Sequence, residues 1–439
     1  MHKNEIVRFD SEVFSPSAEL EAPHEPTIKP EDAVAKELKS HLLDSFQGFR
    51  WKVRIRDWIR DSYEIGGDEL YWPGQCFDVW IKTQSAARQI LAGNTLKILD
   101  SYIDGEIDFE GNLYALAYIT DHLKLEMTWF QKIASLVTHS AFQNGSRAKA
   151  NVKSHYDIPA ESLNAYLDQV YRAYSCGIFK DWEIKEREEL VRVGKGEEDE
   201  FDSLEKAQWR KFKDAVNYID PEDGENLLDV GCGYGGQLIV ALENYPFSKV
   251  VGWTFSNNQV TQGKDMLSRF DPGTWEINEG DYRSEKRIFD NITSTGMVSH
   301  VGPRGLTPYV RNIRRMIKPG GRYVHHSLME AYSTTPHNFK PGRVFHKKYV
   351  WPGFHWFTLG QHIKALEKNG FVIEGVRNLS NHYGKTIACW NERFLAKKEL
   401  MHQILGDATY RAWKVYLAGS SAEATQGQGQ VCRIYCKAK

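Results

Sequence analysis

The stretch Leu227-Leu-Asp-Val-Gly-Cys-Gly-Tyr-Gly-Gly236 constrains this chain most. An apolar run ends in an acid and opens into four glycines within six residues. That is the pattern of a buried strand, a tight turn and a helix. Glycine lets backbone approach a ligand where a Cβ would block it. Asp229, at the end of the apolar run, offers a carboxylate to a cationic or hydroxyl-bearing ligand. Gly231, Gly233, Gly235 and Gly236 spell G-x-G-x-G-G, not the dinucleotide fingerprint G-x-G-x-x-G. No Gly-Lys-Ser/Thr follows, which excludes a P-loop.

From residue 226 onward, strand-like and helix-like segments alternate. Strands are expected at 226–230, 249–254, 275–279, 289–293, 321–327 and 372–378. Helices are expected at 237–243, 258–270, 306–316 and 359–369. Such alternation predicts a parallel sheet with helices on both faces. Ligands in open α/β sheets bind at the carboxyl ends of the strands, which puts Asp229, Thr254, Asp281 and Gly296 along one rim.

The glycine loop resembles motif I of S-adenosylmethionine (SAM) methyltransferases. Later segments extend the resemblance. Val250-Val-Gly-Trp-Thr-Phe-Ser-Asn-Asn-Gln259 ends a strand in hydroxyl groups. Methyltransferases often carry an acid there for the ribose; this chain offers Thr254, Ser256 and Gln259. Glu279-Gly-Asp-Tyr-Arg283 follows, and an acid beside an aromatic can bind an exocyclic amine and stack an adenine. Alone, Asp281 reads as a surface loop acid. Lys318-Pro-Gly-Gly321 is the turn such domains place before their fifth strand.

Composition excludes several function classes. The formal charge of the 439-residue chain is -2, so no global field draws it to nucleic acid. Its six cysteines (76, 176, 232, 389, 432 and 436) show no zinc-ribbon spacing, so no metal site is expected, and scattered thiols suit a reducing compartment. The N-terminus has no apolar signal-peptide core and no window approaches ~18 apolar residues. The expected location is cytoplasmic, with any membrane association peripheral.

Residues 1–33 are polar and punctuated by Pro16, Pro23, Pro26 and Pro30, and read as a flexible tail. A helical period starts near Val34. Cys76 to Ile81 alternates like a strand, Ser85 to Leu91 looks helical, and Leu99 to Gly105 looks like a turn region. Helices are expected between Leu113 and about Val137. Residues 143–153 form a basic linker, and 185–202 a solvated charged stretch. Arg50, Lys52, Arg54, Arg56 and Arg60, interleaved with Trp51 and Trp58, read either as a solvated helix face or as a segment resting on anionic headgroups. The expected organisation is a tail (1–33), a lipid-docking or dimerisation domain (34–140) and a SAM methyltransferase domain (141–439).

The flanking motifs narrow the family. His155-Tyr-Asp157, Leu167-Asp168, Tyr174-Ser-Cys176 and Leu204-Glu-Lys-Ala-Gln208 come first. Gly296-Met-Val-Ser-His-Val-Gly302, Tyr349-Val-Trp-Pro-Gly353, His382-Tyr383, Trp390-Asn-Glu-Arg-Phe394 and Arg411-Ala-Trp-Lys-Val-Tyr-Leu417 follow in order. From about residue 150 to 439 the chain resembles the cyclopropane fatty acid synthase family, which includes mycolic acid cyclopropane synthases and related C-methyltransferases. The resemblance implies a Rossmann-like α/β methyltransferase fold: a mostly parallel seven-stranded sheet, helices on both faces, and a smaller N-terminal α+β domain. It implies SAM as cofactor and an unsaturated phospholipid at a membrane surface as partner, with a homodimer as one expected assembly. The implied reaction transfers methyl to a cis double bond of an acyl chain and closes a cyclopropane through a carbocation. Methylation without ring closure, and methylation of a small-molecule acceptor, are the alternatives.

In that family the base that removes the proton looks to be a bound bicarbonate. Carried over residue by residue, its holders are Cys176, His326 (with His325 adjacent), the Leu328 backbone and Tyr383. The family's Glu in Gly-Met-x-Glu-His is here Ser299, which puts ring closure in doubt more than methyl transfer. Cofactor contacts are expected from Tyr174, Ser175, Asp229, Gly231, Gly233, Gly235, Thr254, Ser256, Gln259, Gly280, Asp281 and Tyr282. Each has a plainer reading: Cys176 as a packed apolar residue, His326 as a core histidine, Tyr383 as a half-buried strand tyrosine.

Overall fold

A computed structural model describes residues 32–70, 76–122, 159–180, 202–331, 341–351 and 354–439. The tail to residue 31, the linker at 143–153, His155 and Tyr156, and the charged stretch at 185–201 lie outside the described residues.

The N-terminal part begins with α1 (Ala33–Ser45), capped by the Asp32 carboxylate, which accepts from Val34 N at 2.9 Å. A four-stranded sheet follows in the order β2-β1-β3-β4, from β1 (Lys52–Arg56), β2 (Ser62–Gly66), β3 (Phe77–Ile81) and β4 (Ile107–Gly111). Helices α2 (Gln84–Leu91) and α3 (Thr95–Ile103) separate β3 from β4, and α4 (Leu116–His122) ends the described part.

Two expectations are corrected here. Leu99 to Ile103 is helix, with the turn confined to Asp104 and Gly105, because the Asn94 side chain caps α3. The Arg50–Arg60 stretch holds a strand, not a helix face. Val53 and Ile55 point inward, Arg54 and Arg56 outward, at the period of two that strands impose. Trp51 packs edge-on to Tyr118 at 4.5 Å and Trp58 Nε1 donates to Asp32 at 3.0 Å, so neither indole is a free membrane anchor.

The second sheet runs β11-β12-β9-β8-β5-β6-β7, with a two-residue β10 (Phe357–Thr358) added beside β9, making eight strands where seven were expected. Its members are β5 (Asn226–Val230), β6 (Lys249–Thr254), β7 (Trp275–Glu279), β8 (Asn291–Thr295), β9 (Arg322–Glu330), β11 (Phe371–Asn378) and β12 (Gly429–Ala438). β12 pairs antiparallel to both β9 and β11, and the other pairings are parallel.

Successive residues on these strands face opposite layers. Leu227, Val250 and Val324 join α6 (Leu204–Ile219), α7 (Gly236–Asn244) and α8 (Asn257–Leu267) on one side. Leu228, Val251 and Tyr323 join α9 (Leu306–Met316) and α11 (Leu359–Lys368) on the other. This is the Rossmann-like layering expected. Between the two parts run α5 (Ala160–Tyr166), the short α10 (Pro341–Phe345) and α12 (Ser380–Leu395), α13 (Lys398–Leu405) and α14 (Asp407–Thr425).

A single apolar cluster joins the small sheet to these C-terminal helices, including Val53, Ile55, Phe77, Trp390, Phe394 and Trp413. Arg411 fastens the joint. It stacks 4.5 Å from the Tyr102 ring, donates to Tyr102 O at 2.7 Å and pairs with Asp108 at 2.6 Å.

Candidate active site

At the carboxyl ends of β5 to β8 lies a pocket of about 210 Å³, lined by Gly231, Gly233, Thr254, Ser256, Gln259, Gly280, Asp281 and Tyr282. Gly231, Gly233 and Gly280 hold positive φ, and a Cβ on Gly233 would meet nothing within 4 Å. The turn therefore needs glycine conformations and leaves the backbone bare toward the pocket. Thr254 donates to Gln259 Oε1, and Ser256 caps α8 by accepting from Gln259 N at 3.3 Å, so this rim is pre-ordered. The Arg283 guanidinium engages the Asp281 carboxylate at 2.8 Å. Trp253, Met297, Tyr309 and Asn312 also line the pocket and were not anticipated.

Four expected cofactor residues lie elsewhere. Asp229 is buried and not part of the pocket lining, accepts from Thr293 Oγ1 at 2.8 Å, and burial pushes its pKa up to about 7. Gly235 is the N-cap of α7, and a Cβ there would face Leu267 at 3.4 Å. Tyr174 and Ser175 face a second, larger cavity.

That cavity has a volume of about 510 Å³ and mostly apolar walls. The inner face of the small sheet supplies Val53, Ile55, Phe77, Val79 and Phe109; the large sheet supplies His326, Leu328 and Val431. Cys176 and Tyr383 complete that wall, so four of the five expected catalytic positions are brought together. Tyr383 sits on helix α12, not on a strand. Ser299 is fully buried in the turn Val298–His300, and its hydroxyl has no hydrogen-bond partner among the described residues. The two cavities share Gly296 and His300 as wall.

Burial fixes the protonation states. Cys176 is 1% exposed, its thiol directed to the carbonyls of Gly177 (3.2 Å) and Leu379 (3.6 Å), and its pKa is pushed up to about 12. Burial, aided by the Arg433 and Lys211 charges, holds His326 well below the ordinary histidine range, so its imidazole is neutral. Its Nδ1 has no hydrogen-bond partner among the described residues. His325, one residue earlier, faces the opposite layer and bonds to His362 at 2.8 Å, which removes it from this wall.

Lys211 was missed. It is wholly buried on α6, donates from Nζ to Ser175 Oγ at 2.7 Å, and burial drives its pKa down. Gln208, one turn earlier, donates to Ser175 O at 2.8 Å. Together they hold the Tyr174–Cys176 strip. The signal was available: a lysine between Ala207 and Ala215 on the apolar face of a helix.

The profile of the mycolic acid cyclopropane synthetase family matches residues 143–434. The chain belongs to that family. Sphingolipid C9-methyltransferase B of Emericella nidulans is 30% identical over 342 residues, 75% of this chain but only 62% of that relative's length. Cyclopropane-fatty-acyl-phospholipid synthase of Escherichia coli K12 is 28% identical over 324 residues, 73% of this chain and 77% of the relative. Mycolic acid cyclopropane synthase CmaA1, solved with SAH and CTAB, superposes with a TM-score of 0.58 at 23% identity, covering 66% of this chain and 98% of that one. The protein is thus a SAM-dependent C-methyltransferase with the Rossmann-like fold of its family.

Proposed function

We propose that the protein moves the SAM methyl group onto the cis double bond of an unsaturated phospholipid acyl chain and closes a cyclopropane. The observation that carries this reading is the meeting of the glycine-loop pocket with a larger, mostly apolar cavity at Gly296 and His300. The family and the activity for which the Escherichia coli relative is named support it.

The bare backbone at Gly231 and Gly233 fits close approach of the cofactor, and Thr254, Ser256 and Gln259 offer it polar groups in a pocket that is otherwise largely apolar. SAM supplies an electrophilic methyl carbon. The chain's own residues do the rest. The apolar walls hold the alkene in place and keep water from a developing cation. Tyr174 and Trp351, 5.7 Å apart in the cavity wall, supply aromatic rings that would stabilise cationic character.

The residues also fit a bicarbonate. His326 Nδ1, in the cavity wall, is buried without a hydrogen-bond partner among the described residues, and the Arg433 and Lys211 charges act on it. Such an anion would take up the proton released as the ring closes. Neutral His326 and the Cys176 thiol would orient it.

A second reading keeps the methyl transfer but ends in a methyl-branched or methylene-bearing chain. Serine in place of the family's carboxylate at position 299 favours it, as does the activity for which the Emericella relative is named. The test is mass spectrometry of cis-unsaturated phospholipid vesicles incubated with protein and SAM, with ring and branch separated by fragmentation. Gain of one methylene per chain supports the proposal; unchanged lipid across headgroups defeats it.

A further inference from the structure

The wall of the apolar cavity carries two charged side chains that methyl transfer does not use. Arg343, on α10, lines it and is 8% exposed. Its guanidinium stacks 4.2 Å from the Trp356 ring centroid, and no carboxylate among the described residues pairs with it. Guanidinium keeps its charge in any surroundings. Burial without a counter-ion is strongly unfavourable, and an indole face offsets only part of that. Glu423, on α14, lines the same cavity. Its carboxylate lies 2.8 Å from where a Cβ on Gly342, the neighbour of Arg343, would stand. Opposite charges thus face one space without forming an ion pair.

We propose that Arg343 and Glu423 form the headgroup subsite of a zwitterionic glycerophospholipid, the guanidinium taking the phosphodiester and the carboxylate the ammonium. This rests on the acyl-chain reading above. A phosphodiester gives Arg343 the paired, charge-assisted hydrogen bonds it lacks. The reach is right. Arg343 Nη2 lies 3.7 Å from the Cβ position of Gly429, which pairs with Glu330 at the end of β9. His326 stands four residues back on that strand, roughly 13 Å at ~3.3 Å per residue. That lies within the ~15 Å depth of one bilayer leaflet's acyl chains.

The experiment measures SAM-dependent turnover of phosphatidylethanolamine, phosphatidylglycerol and diacylglycerol in detergent micelles, all with the same cis-unsaturated chains. Wild type is compared with Arg343→Gln, Arg343→Lys and Glu423→Gln. Arg343→Gln is expected to raise KM for both phospholipids by ~30-fold or more with kcat nearly kept, the usual effect of removing one partner of a buried charge pair. Diacylglycerol turnover stays as it was, and Arg343→Lys restores part of the loss. Glu423→Gln abolishes the preference for phosphatidylethanolamine over phosphatidylglycerol. An equal loss on diacylglycerol, or a wild-type preference for it, overturns the subsite while leaving acyl methylation standing. Failure to methylate any of the three, with SAM still bound, removes the parent reading and this one together.

Discussion

Gly296 and Gly320 form a matched pair for testing whether the junction of the two cavities is where methyl transfer occurs. Gly296 has φ of 75° and Gly320 of 80°. An added Cβ meets nothing within 4 Å at either. Each amide donates a 2.9 Å bond, Gly296 to His326 O and Gly320 to Ala438 O. Alanine at either position therefore pays the same left-handed strain, about 1–2 kcal/mol, and urea melts should show equal losses. Their surroundings differ. Gly296 is wall to both cavities, whereas Gly320 lies in the turn before β9. A methyl at the junction displaces donor from acceptor, and a misplacement of about 1 Å costs on the order of 100-fold in rate. Turnover with isotopically labelled SAM and unsaturated vesicles should fall by about that factor for Gly296→Ala and stay unchanged for Gly320→Ala. Equal activity in both variants would refute the junction as transfer point. Equal losses in both would show that turnover merely follows stability.

Other outcomes follow from the same geometry. Ser299→Glu should shift product toward cyclopropane at the expense of branched chains, read by fragmentation; an identical product ratio would make the position chemically silent. Asp229 has a folded pKa raised to about 7, above its unfolded value, so its stabilising protonation is complete below the unfolded pKa and lost as pH rises through about 7. SAM-free wild type should thus lose thermal stability between pH 4 and pH 8 relative to Asp229→Asn; parallel curves would contradict the burial argument. Of the six thiols, Cys76 alone is partly exposed. Native alkylation should label it first and spare Cys176, with all six reacting in denaturant, and early labelling of Cys176 would show that its wall opens readily.

Much of the large sheet was readable because its signals are local. β5, β6, β7 and α9 fall where apolar runs and turn residues put them, while β8 starts two residues later than expected, at Asn291. The small sheet was hidden. In Lys52-Val-Arg-Ile-Arg56 the charges dominate the composition, and only the period of two shows that Val53 and Ile55 are core. The site was legible where a motif carries its own geometry, as at Gly231 and Gly233. It was not legible where partners come from distant chain. Nothing local says that Asp229 is buried against Thr293, that Tyr174 and Ser175 face the apolar side, or that Arg343 is buried with no carboxylate paired to it among the described residues.

The most direct test of methyl transfer to an alkene carbon is the position of the label. Protein is incubated with SAM bearing a carbon-13 methyl group and phospholipid with one cis double bond per chain, and the product is fragmented. The account predicts label on carbons of the former double bond, with the headgroup unlabelled. Label on a headgroup nitrogen or oxygen, or none in lipid while SAM is bound, would contradict it.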